Sequence, residues 1–459
     1  MSSSPRTADP PMPRHHTLAT AALLAAAVAP GLATAAGMTT HAFMADTARQ
    51  ELPEGVLKQI LTVHRPALIA GTIYPDGGYG SGAAFPPDRD MAEHAHWGEF
   101  HIAFIDYLRD LGCGAQAASL VPSPLPGRSL NNPVGTIDLA GLSNECGQLI
   151  AFAFGTAAHG ITDETWDAQF EPEVRDRGED PNLAGWLGAE GFWGPLAPES
   201  PLRQVFGSQY DTLYSIWAVT PMNGIEYTMD VIAIVEHHRQ IDSPLLVFPP
   251  AERLIEVYRR SGKTVAREQI ERGNAFSRGA VQAQASTAHT DYERVRSHMP
   301  WASSNYYLNA GGVVSSAHVV AGMYQNMWAM LISGTPAPVA PRIVGHYPAH
   351  GQHDVQLRPA EGSWTQHRWM HLFLDGEIDP ASIEQPGAFT LYDEKNKRVP
   401  LTVQGGHGWS RHWSHSTRIR LDAPLKPNQK YTAVLSTRVK DWAGRPLARP
   451  YRWDFVTAE

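Results

Sequence analysis

The chain has 459 residues, of which 43% are apolar and 18% charged, and a formal net charge of −9 at pH 7. Length and balance allow two or three domains around a large buried core and exclude a disordered chain. The acidic excess disfavours nonspecific nucleic-acid binding, which draws on basic patches.

At the amino end Arg6 and Arg14 precede the apolar run TLATAALLAAAVA, followed by Pro30 and the small residues Ala33, Thr34 and Ala35. This order reads as a secretory signal over residues 1–35, with Ala36 as the new N-terminus. The run is shorter than the roughly 20 residues a spanning helix needs. The expectation is an exported protein, periplasmic or extracellular. Its two cysteines, Cys113 and Cys146, are compatible with one disulfide in an oxidising compartment and also with two buried thiols.

From Thr39 to about Gly334 the apolar spacing is helical, with candidates at 39–51, 91–111, 143–170, 222–240, 250–260, 264–298 and 307–333. The segments 121–135 and 177–202 read as long loops. The stretch TPAPVAPR, 335–342, is a proline-rich linker. Beyond it RWMHLFLD, FTLYD, RVPLTV, TRIRLD, YTAVLS and YRWDFVT stand between turn signals, which predicts a β-sandwich over 343–459.

The helical part carries the candidate chemistry. In AAHGITDETWD, His159, Asp163 and Asp167 follow one another at every fourth position, so the three side chains share a stripe of one helix. His41 lies soon after the expected N-terminus, Asp76 sits in the turn YPDGGYG, His94 and His96 form HAHW, and Glu226 and Asp230 form a second i, i+4 pair. Carboxylates in such apolar surroundings are costly unless paired or bound to a cation. Each element also has a plainer reading. Asp76 before two glycines is an ordinary turn residue, His41 a first-turn helix residue, and Glu226 with Asp230 a helix start favoured by the dipole. Trp193 and Trp301 could shape a lipid pocket or simply pack in the core.

AGMTTH (36–41), IYPDGGYGS (73–81), HAHW (94–97), LIAFAFGTAAHGITDETWD (149–167) and EYTMD (226–230) resemble, in this order, the catalytic domain of zinc-dependent phospholipases C. Within that group the likeness is to the catalytic domain of glycosylphosphatidylinositol-specific phospholipase D, and zinc-dependent single-strand nucleases share the metal-site pattern. The resemblance spans 36–333, including YYLNAGGVVSSAHVVAGMYQNMW (306–328). GEIDPASIEQPGAFTLYD and VKDWAGRPLARPYRWDFVT, within 343–459, resemble a bacterial Ig-like domain of the surface-layer type.

The resemblance implies an all-α catalytic domain and two or three zinc ions. One ion falls among Asp76, His96, His159 and Asp163. A second shares Asp163 and takes His41 with the amino and carbonyl groups of Ala36. The third lies between Asp167, Glu226 and Asp230, where an all-carboxylate set favours calcium, magnesium or manganese over zinc. Asp76 is the candidate general base, and His94 a partner behind the ligands. The implied activity is hydrolysis of phospholipid-like phosphodiesters, of the phospholipase C or D type, at a membrane surface. The competing expectations are a single-strand nuclease on the same scaffold and a non-catalytic, metal-stabilised envelope protein.

Overall fold

The computed structural model describes residues 37–80, 89–120, 139–179, 224–335, 340–357, 370–405, 414–441 and 444–459. Ala36 and Trp193 lie outside them. Helices come first: α1 Met38–Glu51, α2 Val56–Val63, α3 Arg65–Gly80, α4 Arg89–His96, α5 Gly98–Asp110, α6 Cys113–Ser119 and α7 Asn144–Thr165. A π-turn, Trp166–Phe170, joins α7 to α8, Glu171–Asp176. There follow α9 Gly224–Val235, α10 Ala251–Arg260, α11 Arg267–His298, α12 Pro300–Asn305 and α13 Val313–Ser333. No helix among the described residues is long and apolar enough to cross a membrane.

Three of these elements depart from the expected pattern. The stretch holding Asp76 is the last part of α3, not a turn, although the helix contains Pro75 and several glycines. Tertiary packing outweighs the local preference here. A Cβ on Gly71 would lie 2.3 Å from the Phe152 carbonyl oxygen, and one on Gly155 2.1 Å from that of Leu68, so α3 and α7 meet backbone to backbone. The expected helix 91–111 is broken at Trp97, whose extended backbone (φ −112°, ψ 164°) ends α4 and starts α5. The break presses the end of α4 onto α7, where a Cβ on Gly160 would lie 2.0 Å from the His96 carbonyl. The expected helix 307–333 begins only at Val313.

Cys113 and Cys146 form a disulfide between α6 and α7, across 33 residues of chain. The buried apolar residues of α3, α5 and α7 and those of α13 from Ala317 onward belong to one core, and Phe43, Trp166, Phe170, Met229 and Met299 belong to a second beside it.

The carboxy-terminal region holds β1 Ile343–Tyr347, β2 Met370–Ile378, β3 Phe389–Asp393, β4 Leu401–Gly405, β5 Ser414–Leu421, β6 Lys430–Leu435 and β7 Tyr451–Val456. They pair antiparallel in two sheets of order β1-β2-β5-β4 and β3-β6-β7. The alternation that marks half-buried strands is visible in β3 and β7, whose inward residues Phe389, Leu391, Trp453 and Phe455 fill the space between the sheets. One residue points the other way. Phe373 of β2 is fully buried in the helical core, close to Gly345 and near Val319 of α13.

Candidate metal centre

α7 supplies the centre of the site. Ser143 caps its start by accepting the Cys146 amide, and every residue from Leu149 to Thr165 is buried. His159 and Asp163, one turn apart, therefore face other helices and not water. α3 passes α7 at the glycine contact and delivers Asp76, α4 delivers His96, and α1 delivers His41.

Five of the expected ligands converge. His96 Nε2 and His159 Nε2 are 3.0 Å apart. Asp76 Oδ1 lies 3.7 Å from the first and 3.5 Å from the second. Asp163 divides its carboxylate between two sides, with Oδ1 2.9 Å from His41 Nε2 and Oδ2 3.3 Å from His96 Nε2 and 3.4 Å from His159 Nε2. Two overlapping groups result, His41/His159/Asp163 and Asp76/His96/His159, and within each the ligand atoms lie within 4.8 Å of one another.

The orientation of the imidazoles decides what this set can hold. His159 Nδ1 donates to the Thr72 carbonyl at 2.6 Å and His96 Nδ1 to the Ala92 carbonyl at 2.8 Å. His41 Nδ1 is 2.5 Å from Thr162 Oγ1, whose own proton goes to the Ala158 or His159 carbonyl, both 2.9 Å away. With each Nδ1 acting as donor, each Nε2 lone pair is turned inward, the arrangement by which ligating histidines are fixed. Lone pairs and carboxylate oxygens facing one another need either protons or a cation between them, so the donor set fits a divalent metal. Three imidazoles with carboxylates match the preferences of zinc.

The proton affinities follow from the same crowding. Burial and the charges of Asp76 and Glu93 push Asp163 up to about 7, against the pull of His159 and His96. Burial disfavours charge on His96, but its bond to Asp76 and the charges of Asp163 and Asp76 outweigh this and push it up to about 9. Burial and the neighbouring His41 lower His159. Asp76 would also be raised by burial, yet His159 and His96 hold it well below the usual carboxylate range. With 18% of its side chain accessible it is also the most exposed of the five.

The remaining expected ligands are placed differently. Asp167 stands on the π-turn, and burial together with the charges of Glu171, Asp163 and Glu226 pushes it well above the carboxylate range. Asp230 takes no part in that crowding. It is fully buried, and its oxygens accept the amides of Thr39 and Thr40, the Thr40 hydroxyl and the Gln284 side chain. The expected set of Asp167, Glu226 and Asp230 is thereby corrected: Asp230 is committed to the start of α1. His94 is placed apart from the five as well. It sits two residues from His96, on another face of α4, where Nε2 meets Ser261 Oγ at 2.8 Å. Trp301 stacks on Phe170 and under Arg177, a packing role.

Sequence reasoning missed Thr162 and Glu171. Thr162 orients His41, and nothing in the local sequence marks it. Glu171 does carry a signal, because it continues the stripe 159, 163, 167 by four more residues. The π-turn winds less per residue than an α-helix and offsets the drift of that stripe. An apolar recess beside His96 is lined by Trp97, Ile105, Ile161 and Met327 among others.

Residues 337–457 match the model of the bacterial Ig-like domain, so the chain joins a helical region bearing a buried histidine–aspartate cluster to a bacterial Ig-like domain. Two curated proteins are similar over part of the chain. Phosphatidylinositol-glycan-specific phospholipase D of Rattus norvegicus is 28% identical over 134 residues, and that of Mus musculus 27% over 134. Each alignment covers 28% of this chain and only 13% of the relative. Among solved structures, the N-terminal part of the bacterial S-layer protein SbsC aligns over 88% of this chain and 79% of its own, at 12% identity and a TM-score of 0.20, too low to carry an argument.

Proposed function

We propose that the protein is an exported, metal-dependent phosphodiesterase of phospholipase-like function that acts on phospholipid-like substrates. The observation that carries this reading is the pair of inward-facing imidazole nitrogens 3.0 Å apart, with Asp163 dividing its two oxygens between neighbouring donor groups. The partial similarity to phosphatidylinositol-glycan-specific phospholipase D supports the choice of a phospholipid-like substrate. The Ig-like domain supports a location at or outside the cell surface.

Divalent ions bound at such a site would polarise phosphoryl oxygens and ease the deprotonation of water. The chain's own residues do the rest. His41, His96 and His159 present Nε2 because backbone carbonyls and the Thr162 hydroxyl occupy Nδ1. Asp163 joins the two donor groups through separate oxygens. Asp76 stays ionised and is the least enclosed of the five, which suits it to hold a cation and orient a water through its oxygens, while a carboxyl held so low is a weak proton acceptor.

The test is a substrate panel: phosphatidylcholine and phosphatidylinositol vesicles, bis(p-nitrophenyl) phosphate and single-stranded DNA. The expected result is lipid turnover that a chelator abolishes and zinc restores. Cleavage of DNA alone would transfer the protein to the nucleases, and tight zinc binding without turnover of any substrate would make the centre structural.

A further inference from the structure

α1 begins at Met38, and the first amides of a helix have no partner within it. Here the partner comes from α9, some 190 residues away. Asp230 Oδ1 accepts the Thr40 amide and the Thr40 hydroxyl, both at 2.7 Å; Oδ2 accepts the Thr39 amide at 3.1 Å and Gln284 Nε2 at 2.7 Å. Both oxygens are thus used, and the negative charge lies against the positive end of the helix dipole. Thr40 Oγ1 also meets the buried Tyr306 hydroxyl at 3.0 Å. Gly37 completes the fit, since a Cβ there would lie 2.5 Å from Asp230 Cγ and from each of its oxygens. One turn on, the His41 amide donates to the Gly37 carbonyl at 3.0 Å, so the backbone that Asp230 grips is the backbone that carries His41.

We infer that Asp230 is a docking carboxylate for the amino-terminal turn of α1, a positioning residue that places His41 in the donor group His41/His159/Asp163, and that Gly37 is the residue that permits the dock. The inference rests on the metal-centre reading and replaces a ligand role for Asp230. It is selective: loosening the dock releases His41 and leaves Asp76, His96 and His159, which are held by α3, α4 and α7, in place.

The test uses zinc titration of the full chain, with hydrogen exchange as a second readout independent of metal. Asp230→Asn keeps the shape but turns an amide donor toward donors. It is expected to weaken one of two zinc-binding events tenfold to a hundredfold, the range for residues that orient ligands, while the other is unchanged. Exchange of the Thr39 and Thr40 amides accelerates more than tenfold, and that of the 149–163 amides does not. Gly37→Ala, which leaves the carboxylate intact, is expected to give the same selective loss and decides the matter should Asp230→Asn not fold. His159→Ala is the control for the centre itself and is expected to weaken both events. Two wild-type zinc affinities in Gly37→Ala and Asp230→Asn, with His159→Ala defective, would overturn the dock alone. Unaltered zinc binding in His159→Ala would overturn the centre instead. Equal weakening of both events by Asp230→Asn and Gly37→Ala would also overturn the dock, because it would show a general loss of structure.

Discussion

Replacing Asp163 by asparagine is expected to remove more function than any other conservative change in the cluster. The carboxylate serves two sides at once, Oδ1 toward His41 and Oδ2 toward His96 and His159. Asparagine keeps one oxygen and must aim an NH2 group at the other side, where inward-facing nitrogens or a cation would stand. Removing one partner from a buried charge arrangement costs about 3–5 kcal/mol, and at about 1.4 kcal/mol per decade this is two to four decades of affinity. Asp167→Asn is the comparison. Asp167 belongs to neither donor group and is crowded by like charges, so its neutral replacement should change zinc affinity less than tenfold. Competition against a zinc-binding dye gives both affinities and the number of ions per chain, with circular dichroism to confirm the fold. Asp163→Asn should retain one ion at most. Equal affinities in the two folded variants would refute the bridging geometry.

Asp46, buried on α1, receives Arg49 at 2.9 Å, Arg65 at 3.0 Å and Arg239 at 3.5 Å. Asp46→Asn should cost about 3 kcal/mol in urea unfolding, the low end for a broken buried pair because Arg65 is half exposed. Burial opposes the charge on Asp46, but Arg65 and Arg49 hold its pKa below 3.8. Its contribution is therefore complete above that value and is lost as the pH falls through the lower folded pKa, so the gap between wild type and variant should close only in strong acid. A chain ending at Gly334 should keep zinc binding and turnover of a soluble phosphodiester, while losing about 2 kcal/mol with the burial of Phe373; failure to bind zinc in a folded truncation would mean that the β region shares the site. Replacing both cysteines by serine opens a loop of 33 residues and should cost about 3–4 kcal/mol by the chain-entropy relation, checked by urea midpoints.

What the sequence disclosed was what is local. His159 and Asp163 announce themselves because four-residue spacing is a property of a single helix, and the inward residues of β3 and β7 because alternation is a property of a single strand. α3 was hidden, since Pro75 and the glycines around it are punctuation in any local reading, and only α7 makes them helical. Asp230 shows the same limit in the functional part of the chain. Its i, i+4 relation to Glu226 is visible, but its partners lie about 190 residues away in α1, and no spacing along α9 reveals them. Thr162 acquires its role only when α1 crosses α7.

The backbone contacts between α3, α4 and α7 carry a consequence for any inventory of essential positions. Gly71, Gly155 and Gly160 offer no functional group, yet they set how far apart Asp76, His96 and His159 can stand. A saturation scan scored by survival or turnover would rank these three beside the histidines, and a reader of that ranking would search them in vain for chemistry. Their contribution is spacing, and any side chain at all erases it.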